Sequence, residues 1–389
     1  MRRRHAIAFI LLLGLVSLLA DVTYEGARSI TGPYLALLGA GAGIVGLVAG
    51  AGELIGYALR LVFGVLADRT RRYWAFTIVG YALNLLAVPL LALANSWEIA
   101  AALIVLERTG KAIRAPARDT LLSHATEQTG RGWGFGLHEA MDQIGALLGP
   151  LVVAGILARM GNYRLAFAAL AVPAVLAMVA LFTARALYPA PEMLGKNRPS
   201  ASTTSRRLLP RTFWLYLIAS VFIAAGYADF PLLAFHFERT NLMPATWIPL
   251  MYAVAMATDA ITALIFGRLY DRLGLRILAL SVALSLFFAP LVFLGNVAVV
   301  FVGVVLWGVG LGAQESIMRA AVADLVPSAQ RGTAYGLFNA AYGFAWFVGS
   351  AIIGLLYEST LWLAIAFSVL VQIAAIITLQ LVRPNEATA

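Results

Sequence analysis

Apolar segments of about twenty residues recur along the whole chain, near 6–31, 43–66, 73–94, 97–120, 132–157, 163–184, 212–237, 246–269, 275–294, 297–320, 332–357 and 361–382. A helix needs about 20 such residues to cross the hydrocarbon core of a bilayer, where every backbone polar group must be satisfied within the protein. The pattern predicts an all-α integral membrane protein with about twelve transmembrane helices. Composition agrees, since only 12% of the 389 residues are charged against about a quarter in soluble domains. The absence of cysteine excludes disulfides, thiolate metal sites and thiol catalysis. Met1-Arg-Arg-Arg-His5 before an apolar run imitates a signal peptide. Asp21, Glu25 and Arg28 then stand where a small-residue cleavage site would be, so a retained first helix is expected.

The formal charge of +9 does not point to nucleic acid, because no basic aromatic platform accompanies it. The arginines cluster instead in alternate connections: Arg2 to Arg4, Arg69 to Arg72, Arg118 to Arg131, Arg185 to Arg211, Arg268 to Arg276, Arg319 to Arg331, and Arg383. The intervening loops, around Gly39, Asn95, Met243, Asn296 and Thr360, are short and nearly uncharged. Positive residues stay on the cytoplasmic side, so both termini are expected there, in a multi-pass protein of the cytoplasmic (inner) membrane. The one long polar stretch, 187–210, reads as a linker. It separates an N-terminal six-helix bundle, 1–186, from a C-terminal one, 211–389.

The halves repeat. Gly64-Val-Leu66-Ala-Asp68-Arg69 returns as Gly267-Arg-Leu269-Tyr-Asp271-Arg272, an offset of 267 − 64 = 203, and Arg131-Gly132 with Gly136 returns as Arg331-Gly332 with Gly336, an offset of 331 − 131 = 200. Two matches at nearly one offset indicate an internal duplication.

Against this apolar background Glu107, Lys111, Arg114 and Arg118 fall at i, i+4, i+7 and i+11, one stripe of a helix. Ionised groups at membrane depth face a water-filled cavity or a counter-charge, and by default mark a transport pathway. A rise of about 1.5 Å per residue puts Asp21, Glu53, Glu107, Lys111, His138, Glu139, Asp142 and Asp259 at membrane depth as well. Asp21, Glu25 and Arg28 share one helix face, and His138 shares another with Asp142. The transport reading is that one carboxylate changes protonation while an Arg or Lys holds an anionic or zwitterionic group, so that occupancy of the cation couples binding to proton release. Permanent ion pairs, such as Glu25 with Arg28 or Glu107 with Lys111, are the structural alternative. His138, Glu139 and Asp142 also suggest a metal cluster, but Glu139 points about 100° away from His138, so no metal site is assigned. In the second half Tyr227, Trp307, Tyr342 and Trp346 are candidates for an apolar wall.

The loop Gly64-x-Leu66-x-Asp68-Arg69 followed by Arg71 and Arg72, its copy, the helix count and the central linker together resemble the major facilitator superfamily of secondary transporters. That resemblance implies two pseudo-symmetric six-helix bundles working by alternating access. It also implies a central cavity lined by helices one and four, placing Asp21, Glu25, Arg28, Glu107, Lys111 and Arg114 around it with Glu139 or Asp142 at its wall. Gly64, Asp68, Arg69, Arg72, Arg118, Gly267, Asp271 and Arg272 are the candidates for a cytoplasmic gate. Gly145, Gly149, Pro150 and Gly155 are similar to the fifth-helix motif of drug antiporters, with one residue more than that pattern.

The expectation is a proton-coupled secondary transporter of a small polar, anionic or zwitterionic organic solute, acting as a monomer in the lipid bilayer. Drug efflux, a divalent-metal transporter and a non-transporting receptor are the alternatives. No phosphate-cradling loop and no nucleophile–base spacing is present, so neither an enzyme nor a cofactor is expected, and the energy must come from a gradient.

Overall fold

A computed structural model describes residues 2–129, 131–189, 209–327 and 330–382, without the side chains of 2–3, 127–129, 131–133, 271, 319, 331 and 332. The linker expected at 187–210 falls mostly outside them. The described chain is helical: α1 Arg2–Leu37, α2 Ala42–Thr70, α3 Tyr73–Leu90, α4 Trp97–Thr129, α5 Arg131–Met160, α6 Tyr163–Ala169, α7 Ala171–Leu187, α8 Arg211–Ala225, α9 Phe230–Arg239, α10 Trp247–Leu273, α11 Leu275–Ser285, α12 Phe288–Leu294, α13 Val297–Leu325, α14 Arg331–Ser359 and α15 Leu361–Leu381. Since α6–α7, α8–α9 and α11–α12 are each one interrupted rod, the helices make twelve crossings. Eleven are long and apolar enough to span a membrane by composition alone. The twelfth, α4, carries the charged stripe. The protein is therefore a multi-pass, all-α membrane protein.

The interrupted rods satisfy their freed backbone locally, as a low-dielectric interior demands. Between α8 and α9 the Gly226 carbonyl accepts from Ser368 Oγ at 2.6 Å and Gln372 Nε2 at 3.2 Å. The Asp229 carboxylate accepts from the Phe230 amide at 2.9 Å, capping the new helix.

The helices gather into two compact units. One takes Met1–Gly39, Ile55–Ser200 and Pro244–Ala253; the other takes Ala40–Leu54, Ala201–Met243 and Val254–Ala389. Both α2 and α10 are thus shared, each contributing its first part to one unit and its remainder to the other. These are the two helices that end in the repeated loop. The repeat also extends to backbone geometry: Arg71 and Gly274, at the same 203-residue offset, both leave their helices in the left-handed region, with φ of +54° and +58°.

Small residues set the packing inside the first unit, as in membrane helix pairs generally. A Cβ at Gly110 of α4 would overlap the backbone of Asn84 on α3, and one at Gly80 would overlap Arg114. A Cβ at Gly145 of α5 would press on Asp21 Cβ of α1, at 2.8 Å, and one at Gly149 on the Gly26 backbone, at 2.7 Å. These close approaches seat α4 against α3 and α5 against α1.

Candidate functional site

Arg114 is the centre of the polar cluster in the first unit. Its side chain is 1% exposed, with the guanidinium carbon 4.3 Å from the ring centroid of Tyr81 on α3 and 5.6 Å from that of Tyr24 on α1. Among the described residues no carboxylate lies within ion-pair distance of it, and its Nε has no hydrogen-bond partner. A buried guanidinium held by aromatic faces rather than by an acid keeps its in-plane donors for another oxyanion.

Around Arg114 the other charges fall into two sets. The first set is paired. Glu107 accepts from Asn84 Nδ2 at 2.6 Å and stands 3.2 Å from Arg108 Nε. Lys111 lies 4.1 Å above the Tyr24 ring and 4.0 Å from Glu25, whose other oxygen accepts from the Tyr252 hydroxyl at the start of α10. The Glu107–Lys111 pair suggested by i, i+4 spacing is therefore replaced by Glu107–Arg108 and Glu25–Lys111. Contacts between helices outcompete the spacing within one, because Asn84 on α3 fixes the Glu107 carboxylate from the side. Arg28 is half-buried on the same face of α1, within the electrostatic reach of Glu25.

The second set is only partly engaged. Asp21 is buried, its Oδ1 has no partner, and the charges acting on it are those of Asp142, Lys111, Arg114 and Glu25. Asp142 on α5 lies 3.7 Å from Arg118 Nη1 and 3.7 Å from His138 Nδ1, leaving its Oδ1 and the His138 Nε2 unsatisfied. Arg118 also donates to Ser17 at 3.0 Å and to Asp119 at 2.9 Å. Arg118, a gate candidate from the sequence, thus holds its neighbour Asp119 and also reaches Ser17 and Asp142 of the interior cluster.

Not every candidate joins this cluster. Glu53 and Asp259 fall in the second unit. Glu139 is on the exposed side of α5 while His138 is buried, and among the described residues no three His, Asp or Glu side chains are grouped to hold a metal ion. Asp68, Arg69, Arg72 and Arg272 are exposed, with Asp68 accepting from the Tyr73 hydroxyl at 3.2 Å. The Asp271 side chain lies outside the described residues. A Cβ at Gly64 would meet one atom at ordinary contact distance and one at Gly267 would meet nothing, so neither glycine is required by crowding.

Tyr24, Tyr81, Asn84 and Tyr252 escaped the sequence reading. Asn84 had a signal, being the one amide inside the span 73–94; the tyrosines had none, because contacts between helices leave no spacing pattern.

The second unit is aromatic where the first is charged. Successive ring centroids connect Tyr216 to Phe338 at 6.1 Å, Phe338 to Tyr342 at 5.6 Å, Tyr342 to Trp346 at 5.6 Å, Trp346 to Tyr227 at 5.9 Å, and Tyr227 to Trp307 at 5.4 Å. The Tyr342 hydroxyl donates to Gln314 at 2.6 Å, the Trp307 indole to the Ala228 carbonyl at 2.9 Å, and the Tyr227 hydroxyl to the Trp307 carbonyl. Trp346 is buried with its indole N–H unpaired.

A family model described as the Major Facilitator Superfamily matches residues 13–257 and 230–389. An uncharacterised protein of Mycobacterium tuberculosis (strain ATCC 25618 / H37Rv) is 45% identical over 383 residues, covering 96% of this chain and 93% of the relative. An uncharacterised MFS-type transporter of Methanocaldococcus jannaschii is 29% identical over 364 residues, covering 89% and 88%. Among solved structures, the nucleoside transporter NupG superposes with a TM-score of 0.75 at 16% identity, covering 95% of this chain and 98% of that one. The peptide transporter POT in complex with sulfate superposes with 0.76 at 17% identity, covering 96% and 93%. At such identities the likeness is one of fold.

Proposed function

The chain belongs to the Major Facilitator Superfamily, and from that premise we propose that it is a proton-coupled secondary transporter of a small anionic or zwitterionic organic solute. Its two halves, residues 1–186 and 211–389, would work by alternating access. The observation that carries this reading is Arg114, a fully buried guanidinium with aromatic faces on two sides and, among the described residues, no carboxylate partner. A carboxylate or phosphate on the solute would complete its coordination in a bidentate manner.

Asp21 is the proton carrier in this reading. Its unsatisfied oxygen lies under the field of Arg114 and Lys111 on one side and of Asp142 on the other. A solute anion on Arg114 offsets one of the two cations whose fields favour the ionised form of Asp21, so binding favours a proton on Asp21. The sign is proton uptake with the anion, opposite to the release expected from the sequence, because removing a nearby positive charge favours the neutral carboxyl. Anion and proton therefore travel together, which is symport. Glu25 and Glu107, already engaged, serve as fixed struts.

The experiment is solute-induced proton movement in proteoliposomes with an internal pH-sensitive dye and a panel of carboxylates, amino acids, sugars and lipophilic cations. A pH change with one anionic or zwitterionic class, lost in Arg114→Ala, is the expected result. A response to lipophilic cations alone would favour drug efflux instead, a reading for which the aromatic string and the unpaired Trp346 indole are the supporting observations.

A further inference from the structure

A second cationic feature stands apart from the interior cluster. Arg71, Arg72 and Arg185 line a cleft of about 330 Å³ together with Tyr73, Trp74 and Leu121. All three arginines are exposed, and among the described residues none has a carboxylate within ion-pair distance. Asp68, the nearest acid along the chain, is turned to the Tyr73 hydroxyl. The walls are fixed: the Trp74 indole donates to the Tyr188 carbonyl at 3.2 Å, Phe9 packs on both rings, and Leu121 is buried.

Two independent observations point to a ligand. The first is the level of the cleft. It opens where the apolar spans Ala42–Thr70, Tyr73–Leu93 and Tyr163–Leu187 end, so it lies at the height of lipid headgroups, where arginines pair with phosphates. The second is Arg71 itself, which occupies a left-handed backbone position filled by Gly274 in the other copy of the loop. Glycine takes that conformation without strain and arginine does not. A strained non-glycine residue kept where its duplicate uses glycine is a reason to look for function, and here the strain delivers a third guanidinium to the cleft.

We propose that this cleft binds the phosphate group of an anionic phospholipid headgroup. The three guanidiniums hold the phosphate oxygens, and the Trp74 and Leu121 wall receives the glycerol and first methylenes. The site is separate from the Arg114 cluster and stands whether or not the Arg114 reading holds.

Native mass spectrometry of the detergent-solubilised full chain, titrated with phosphatidylglycerol or phosphatidylcholine, tests it. The cleft variant R71G/R72Q/R185Q is compared with R268Q/R272Q/R276Q, which removes the same charge from the second-half loop. Interfacial arginines each contribute about a factor of five, so the cleft variant should retain phosphatidylglycerol on the order of a hundredfold more weakly and the control variant should stay near wild type. Should the triple variant fail to fold, R72Q and R185Q alone should each lose about fivefold. Equal loss in both triple variants, or none in either, would overturn the proposal. Displacement of the lipid by inorganic phosphate at comparable concentration would reassign the oxyanion to a soluble phosphate and overturn the lipid assignment.

Discussion

At the 200-residue offset of the repeat, the interior of α4 and α5 maps onto that of α13 and α14, and the chemistry changes at nearly every polar position. Glu107 becomes Trp307, Arg114 becomes Gln314, His138 becomes Phe338 and Asp142 becomes Tyr342. The packing glycines persist: Gly110 faces Asn84 while Gly310 faces Ser285, and Gly149 faces Gly26 while Gly349 faces Ala225. The duplicated scaffold is thus carried by backbone approach at small residues. The residues between those contacts were free to diverge into an ionic interior in one unit and an aromatic, amide-bearing one in the other. Among the described residues, only the ionic interior contains a buried cation held without a carboxylate, so it is where an anion and a proton would be handled.

The most direct way to break this comparison is to write the second unit's residue into the first. Arg114→Gln removes the buried guanidinium and should weaken solute binding by about 2–5 kcal/mol, roughly 30-fold or more, in uptake measured across a concentration series. Arg114→Lys should recover only part, because an ammonium lacks the planar fork. Next in size, Asp21→Asn should leave solute exchange running while abolishing its dependence on a pH gradient. Counterflow and proton-driven accumulation, measured side by side, separate these outcomes.

Stability effects are smaller. Glu107→Ala removes the closer of the two acceptors of the buried Asn84 amide, leaving the Glu107 carbonyl at 3.2 Å, and should cost about 1 kcal/mol, read as a lower unfolding temperature with solute affinity kept. Loss of affinity equal to that of Arg114→Gln would place Glu107 among the binding groups instead. In the other unit, Tyr342→Phe frees Gln314 and should cost about 0.5–1.5 kcal/mol, with proton coupling unchanged. Smallest and opposite in sign, Arg71→Gly should raise stability by about 1 kcal/mol, since the first copy of the loop then matches the second.

Much of the fold was legible because a bilayer imposes length and apolarity on each crossing and repeats leave offsets. The composition of the site was partly legible: Asp21, Glu25, Lys111 and Arg114 announce themselves as ions in oil. Their partners did not. Glu107 finds Asn84 and Lys111 finds Glu25 because Gly80, Gly110 and Gly145 let helices touch backbone to backbone, and nothing in a single helix's spacing encodes which neighbour arrives there. Arg118 shows the same thing. Counted from the chain it belongs to the arginine-rich edge, yet its long side chain reaches back to Ser17 and Asp142.

The most direct test of anion–proton coupling is the number of protons exchanged when the solute found in the proteoliposome panel binds the detergent-solubilised protein in weakly buffered solution. Uptake of about one proton per anion by wild type, none by Asp21→Asn, and no binding response from Arg114→Gln is the expected result. Proton release on binding, or uptake that survives intact in Asp21→Asn, would contradict the assignment of Arg114 and Asp21 as the coupled pair.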